Sequence, residues 1–395
     1  MNIVNQLRRN IICLFIIKFS QWMLLVMPIS FLFYKSNGLE LHQILTLQSA
    51  YSLAIVLLEI PTGYLADRWG RKNTMIIGAL LGFAGYFIYS VSHNFYSFLC
   101  AELVLGVGQS FVSGTDSAML YDSLLSLKQK KKYSLLEGRM SAFGNFAEAL
   151  AGILGGLMAV VSLRLPYMAQ ACMFFIAIPA AWLLVNPPLH VTVRDKSARG
   201  LFSAVKFSMK ENVLLRRNIL ISSFMGASTL SMAWFVQPFF NREHVPTEWY
   251  GVLWAILNLS VGLTSMYSYR FDSKFQQEKA NYIILIGLMG GFILTGFVSG
   301  LWVLIPIMLF YLVRGLATPV LKTYVQDYTP SDIRATVLSV RNFIIRIIFA
   351  VFGPLLGYIA DKISLSVAMF SAAFLFGLPT FLILRNKNFR IEQKK

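Results

Sequence analysis

The chain of 395 residues is 56% hydrophobic and only 13% charged, where a soluble domain carries about a quarter charged residues, so an ordinary soluble enzyme or binding module is excluded. A net charge of +17 would suit a nucleic-acid partner, but the placement of the basic residues assigns that charge to membrane topology and anionic lipid. Three cysteines (Cys13, Cys100, Cys172) lie in apolar runs without metal spacing, and four histidines (His42, His93, His190, His244) lie at or near the ends of those runs.

A bilayer core takes about 20 apolar residues per helix. In chain order the apolar runs fall at residues 11–34, 43–63, 73–92, 97–121, 140–161, 166–185, 219–240, 250–269, 281–299, 302–323, 337–359 and 366–384. Lipid leaves no water for backbone groups, so the runs must be helical, and they are too long and uniformly apolar for barrel strands. The first is too long for a signal peptide's apolar region and is read as an uncleaved span. With the N-terminus in the cytoplasm, the segments on that side hold 27 Lys and Arg, against Lys35, Arg164, Arg242 and Lys362 on the other. The positive-inside rule then places both termini in the cytoplasm.

The fold class expected is therefore an all-α membrane protein, with twelve transmembrane helices in two six-helix, pseudo-symmetric halves, 1–190 and 218–395. The segment 191–217 joins them as a basic cytoplasmic loop. In and around it Phe202, Val205 and Met209 share a helical face beside Lys206 and Lys210, which predicts a short helix lying on the inner leaflet. Arg139-Met140-Ser141 and Arg334-Ala335-Thr336 open spans 5 and 11 alike, and Gly152 to Gly156 has a counterpart in Gly353 to Gly357.

Ionisable residues inside spans are costly unless paired or hydrated. Four bases (Lys18, Arg314, Arg341, Arg346) and four acids (Glu59, Glu102, Asp116, Glu148) stand there. In span 4, Glu102, Gln109 and Asp116 recur every seven residues and are expected to form one polar stripe. Lys18, Gln21 and Trp22 share a face of span 1. Lys18 and Asp116 fall at similar depths and are predicted to face one another. Asp116 either exchanges a proton or is a fixed partner of Lys18 or Arg71, and Glu148 is either a proton carrier or the partner of a distant arginine. Glu59 is expected to pair with Arg341; Arg346 could meet Glu148 or an anionic substrate. Trp234 and Gln237, one turn apart before Pro238, and Tyr311 are further candidates for contact with a solute, beside Asn258.

The most specific signal is the charged segment Gly63-Tyr64-Leu65-Ala66-Asp67-Arg68-Trp69-Gly70-Arg71-Lys72 between spans 2 and 3. Its glycines suit a tight turn, and Asp67 is placed to cap span 3. The pattern G-x-L-A-D-R-x-G-R-K resembles the loop between helices 2 and 3 of the major facilitator superfamily of secondary transporters, and every principal position matches. The resemblance covers nearly the whole chain. It implies that Gly63, Asp67, Arg68, Gly70, Arg71 and Lys72 form a conformational latch on the cytoplasmic side, for which Asp122 at the inner end of span 4 is the expected partner. It also implies a central cavity lined by helices 1, 4, 7 and 10. Glu102 departs from the arginine that drug exporters of the family often carry there, and Arg314-Gly315 looks like the arginine of the second half. The stretch from Ala147 to Gly156 keeps Gly155-Gly156 but lacks the Gly-Pro pair of the exporters.

The resemblance implies a proton-coupled transporter working by alternating access, nearest to the drug/proton antiporter branches, with export of amphipathic compounds as the first reading. Proton symport of an anionic metabolite is the alternative, motivated by Arg314, Arg346 and the altered span 5. A non-transporting membrane sensor or scaffold is the reading of another class. No nucleotide-binding, metal or nucleophile constellation is visible, so neither an enzyme nor a cofactor is expected; the proton gradient would drive the cycle. The expected partners are a small-molecule substrate and membrane lipid, with no nucleic acid, for a monomer in a bacterial inner membrane.

Overall fold

In the computed structural model, residues 3–188, 205–330 and 333–386 are described. Twelve helices among them are long and apolar enough to cross a membrane: Ile3–Ser36, Leu41–Glu59, Arg71–Val91, Phe95–Ser126, Lys130–Val161, Leu165–Trp182, Val213–Arg242, Thr247–Met266, Gln277–Phe297, Gly300–Asp327, Thr336–Lys362 and Leu365–Arg385. They are numbered here as spans 1 to 12. No strand occurs among the described residues. Several spans run beyond the apolar window because polar residues at their ends continue the helix.

The chain packs as two units that do not coincide with the sequence halves. The first comprises Met1–Leu39, Ala50–Val191 and Pro246–Ala255; the second comprises Glu40–Ser49, Thr192–Val245 and Ile256–Lys395. The helix Leu41–Trp69 thus begins in the second unit and continues in the first, and the helix Thr247–Met266 does the reverse. In the first unit Leu14, Ile17, Met75, Val112, Leu120 and Leu184 form an apolar core between spans 1, 3, 4 and 6. Glycines let its helices meet closely: a Cβ on Gly156 would stand 3.0 Å from the Gly251 backbone. In the second unit Leu215, Ile219, Val325 and Val337 pack together, with Phe207 and Met209 against them. Residues 189–204, including Phe202 of the expected interfacial helix, lie outside the described residues. The remainder of that expected helix is one wide turn, Phe207–Glu211, buried at Ser208.

Two spans of the first unit are discontinuous. Span 1 is helical over Ile3–Trp22, loses the helix, and resumes through the turn Met27–Ile29 into Ser30–Ser36. The break is packed against span 6. Gln170 Oε1, buried in span 6, accepts from the Leu25 N–H at 2.8 Å, and the bare Gly155 lies against the Leu25 carbonyl. Span 4 divides into Phe95–Val112 and Thr115–Ser126 at Gly114, whose φ of 73° falls in the left-handed region open to glycine.

The segment 63–72 is less of a turn than its sequence suggests. Residues 63–69 complete the helix Leu41–Trp69, and only Gly70, with φ 86°, leaves it before span 3 starts at Arg71. The cap comes from beyond span 6: Asn186 Oδ1 accepts from the Lys72 N–H at 2.9 Å. Gly63 is helical, and the side chain of Asp67 lies outside the described residues.

Candidate functional site

The break in span 4 builds the main polar site. Because the helix restarts at Thr115, Asp116 sits in its first turn, where free N–H groups favour a carboxylate. Its Oδ1 accepts from the Ser117 N–H at 2.8 Å, and its Oδ2 meets Lys18 Nζ at 2.8 Å. Both side chains are largely covered, with 16% of Lys18 and 11% of Asp116 exposed. The Lys18 ammonium also lies 5.6 Å from the centre of the Trp22 ring, and that ring packs on Gly144 of span 5. Ser117 extends the network: its hydroxyl donates to Glu137 Oε1 at 2.6 Å, one turn into span 5. Glu137 Oε2 is buried without a hydrogen-bond partner among the described residues. A cation, a carboxylate, a hydroxyl and a second carboxyl group thus cluster at the break, Asp116 joined to Ser117 through the backbone N–H and Glu137 through the hydroxyl.

The expected stripe of span 4 is not continuous. Glu102, Gln109 and Asp116 would share a face on one straight helix, but the backbone at Gly114 re-aims Asp116. Gln109 is exposed, while Glu102 is buried two turns into the opposite end of the span. There Tyr34 donates to Glu102 Oε1 at 3.0 Å, and the Tyr34 and Tyr89 hydroxyls stand 2.6 Å apart. Phe33, Phe98 and Tyr167 close an aromatic box around them.

Arg71 and Asp122 form an ion pair at 2.5 Å, and Arg71 also donates to the Ala118 carbonyl. The 63–72 segment is thereby tied to the C-terminal part of span 4, beyond Ser117. Arg68 is exposed, and Lys72 is half-buried. Glu59 accepts from Ser113 Oγ at 3.4 Å, beside the break. Gln21 and Trp22 are half-buried, as is Glu148 in span 5.

In the second unit Arg341 is 9% exposed and donates to Ser222 Oγ at 2.5 Å and to Asn342 Oδ1 at 3.1 Å. Glu59 and Arg341 thus each have a neutral partner within their own unit. Arg314 lies 5.2 Å from the centre of the Tyr311 ring, and Gly315 packs against Thr264 and Val261 of span 8. Tyr311 and Gln237 are buried, Trp234 and Arg346 half-buried. Tyr311 and Gln237, candidates for solute contact, are therefore covered, at 0% and 2% exposure.

Ser117, Glu137, Gly114 and Gln170 are not singled out by the sequence. Glu137 lies just before the apolar window of span 5. Gln170 is visible as a lone amide in an apolar run, but a search for charges passes it over.

The described chain is a multi-pass helical membrane protein whose fourth span breaks beside a largely covered ion pair with the first. A family model described as Major Facilitator Superfamily matches residues 11–350. The chain belongs to the major facilitator superfamily. Quinolone resistance protein NorA of Staphylococcus aureus is 27% identical over 168 residues, which cover 42% of this chain and 42% of NorA. Vacuolar membrane amino acid uptake transporter fnx2 of Schizosaccharomyces pombe is 24% identical over 203 residues, covering 48% of this chain and 34% of fnx2. The chain spans less than half the length of these curated relatives. Among solved structures, a variant of nucleoside transporter NupG superposes with a TM-score of 0.79 at 15% identity, over 98% of this chain and 100% of NupG. The D-xylose-proton symporter gives 0.73 at 12% identity, over 96% and 97%. At such identities these two share the fold alone.

Proposed function

We propose that the chain is a proton-coupled secondary transporter that exports small amphipathic compounds, with both termini in the cytoplasm. The observation that carries this reading is the Lys18–Asp116 pair at the break of span 4, linked through Ser117 to Glu137. Broken helices with charged groups at their ends are where secondary transporters of several folds build their sites. An Asp116 proton would release Lys18, and its loss would restore the pair, so protonation is tied to the packing of span 1 on span 4. The Arg71–Asp122 pair, two turns further along span 4, would act as the cytoplasmic latch. Export is favoured by the similarity to NorA, a quinolone resistance protein. The basic segments around spans 2–3, 4–5 and 6–7 support the cytoplasmic placement of that side, and a bacterial inner membrane is the setting we propose.

The test is flux in proteoliposomes under an imposed pH gradient, with amphipathic cations and organic anions as solutes. Acceleration of an amphipathic compound by an opposing proton gradient supports the reading. A second reading, proton symport of an anionic solute, is favoured by Arg341. Its guanidinium is nearly buried, yet its hydrogen bonds go to a hydroxyl and an amide, so a solute carboxylate or phosphate would complete its charge balance. Acceleration of an organic anion by a parallel gradient would select this alternative.

A further inference from the structure

The segment that closes span 2 has a second copy at the end of span 11. Gly63-Tyr64-Leu65-Ala66-Asp67-Arg68 and Gly357-Tyr358-Ile359-Ala360-Asp361-Lys362 are identical at four of six positions, and the other two exchange Leu for Ile and Arg for Lys. Each lies at the C-terminal end of its helix, Leu41–Trp69 or Arg334–Lys362. On the topology expected from the sequence, spans 2 and 11 cross in opposite directions, which would put the two copies at opposite faces.

The second copy is engaged. Asp361 Oδ1 accepts from the Leu41 N–H at 3.1 Å, and Oδ2 accepts from the His42 N–H at 2.7 Å. These are the first two N–H groups of the span 2 helix, which have no partner inside that helix. The same oxygen accepts from His42 Nδ1 at 2.9 Å. Asp361 is thus an N-cap supplied by another helix, with a full negative charge at the positive end of the helix dipole. The glycine one turn earlier makes the approach possible: a Cβ on Gly357 would stand 2.7 Å from His42 Cα. Around the cap, Glu40 lies 3.3 Å from His42 Nδ1 and 3.8 Å from Lys362 Nζ.

We propose that Gly357 and Asp361 form an outer latch, an inverted counterpart of the 63–72 segment, and that Asp361 is a positioning residue which holds the outer ends of spans 2 and 11 together during one half of the transport cycle. The inference rests on the reading of the chain as an alternating-access transporter. Breaking the outer latch leaves two N–H groups and a carboxylate to water, and favours the state in which the opposite face is closed.

Hydrogen–deuterium exchange on the full chain in nanodiscs tests this without any solute. In Asp361→Ala, exchange across 39–46 is expected to rise on the order of tenfold, the size of a lost helix cap. Exchange across 63–73 is expected to slow at the same time. Gly357→Ala, which keeps the carboxylate, should give the same pair of changes. His42→Ala keeps both backbone donors and should retain most of the protection, and Asp361→Asn keeps an acceptor and should do likewise. Unchanged exchange in span 6 around Gln170 reports that a variant is folded. Loss of protection at 39–46 with no gain at 63–73 in a folded variant would overturn the proposal, leaving Asp361 a local cap. Unchanged exchange at 39–46 would overturn it too. Absence of flux in the wild-type chain with the reciprocal exchange intact would instead count against the transporter reading alone.

Discussion

Gln170 gives its side-chain oxygen to the Leu25 N–H at 2.8 Å, where the first helix of span 1 has ended. The same N–H also reaches the Met23 carbonyl at 3.0 Å, so the Gln170 oxygen adds a second acceptor that ties the break to span 6. Gln170→Leu should destabilise the protein by about 0.5–1.5 kcal/mol, the net worth of one hydrogen bond. The thermal unfolding midpoint in detergent measures it. Gly155→Ala should be worse, because its Cβ would collide with the Leu25 carbonyl; an unchanged midpoint in both variants would show that the break is not held this way.

Gly114 offers a cleaner test of the break in span 4. No atom lies within 4 Å of a Cβ built there, so any effect of substitution acts through the backbone alone. Gly114→Ala must adopt a left-handed conformation, at about 1–2 kcal/mol, or let the helix straighten and withdraw Asp116 from Lys18. Flux should fall in Gly114→Ala and recover in part in Gly114→Asn, since asparagine tolerates the left-handed region. Equal flux in the two variants would count against a role for the bend.

How far the sequence reaches depends on what each feature requires. The facing of Lys18 and Asp116 is legible because a helix rises a fixed distance per residue, so depth can be counted from the apolar boundary. Asp122 as a partner for the 63–72 segment is legible from the family resemblance, though the sequence does not single out Arg71 as the residue that meets it. The breaks in spans 1 and 4 are not legible. A glycine in an apolar run reads alike whether it is helical, as at Gly63, or left-handed, as at Gly114; the difference is decided by tertiary packing. For the cap of span 3 the sequence offers the nearby Asp67, while the structure brings Asn186 from beyond span 6. Asp361 reads only as a mark between spans 11 and 12, because its partners at Leu41 and His42 are some 320 residues away.

The Arg71–Asp122 pair is partly covered, with 19% and 22% of the side chains exposed. A double-mutant cycle with Arg71→Ala and Asp122→Ala should show coupling of about 0.5–3 kcal/mol in thermal stability. If the pair is a latch, both single variants should also lose flux, and the double variant should lose no more than either. Additive losses in stability and flux would mean that the two residues act separately.

Glu137 is expected to pass the proton between Asp116 and the cytoplasmic face. Glu137→Gln keeps an acceptor for Ser117 but carries no proton. It should retain solute exchange at equal pH on both sides while losing most of the response to a pH gradient. A full gradient response in this variant would remove Glu137 from the path and leave it a structural partner of Ser117.

The most direct measurement is proteoliposome flux of an amphipathic solute in the wild-type chain and in Asp116→Asn, at equal pH and under an opposing proton gradient. Asparagine keeps the size of Asp116 but cannot titrate or pair as an anion with Lys18. The expected result is a wild-type flux that rises with the gradient, and a variant that still exchanges solute at equal pH but is indifferent to the gradient. An Asp116→Asn protein whose flux rises with the gradient as the wild type's does would contradict proton coupling through the Lys18–Asp116 pair.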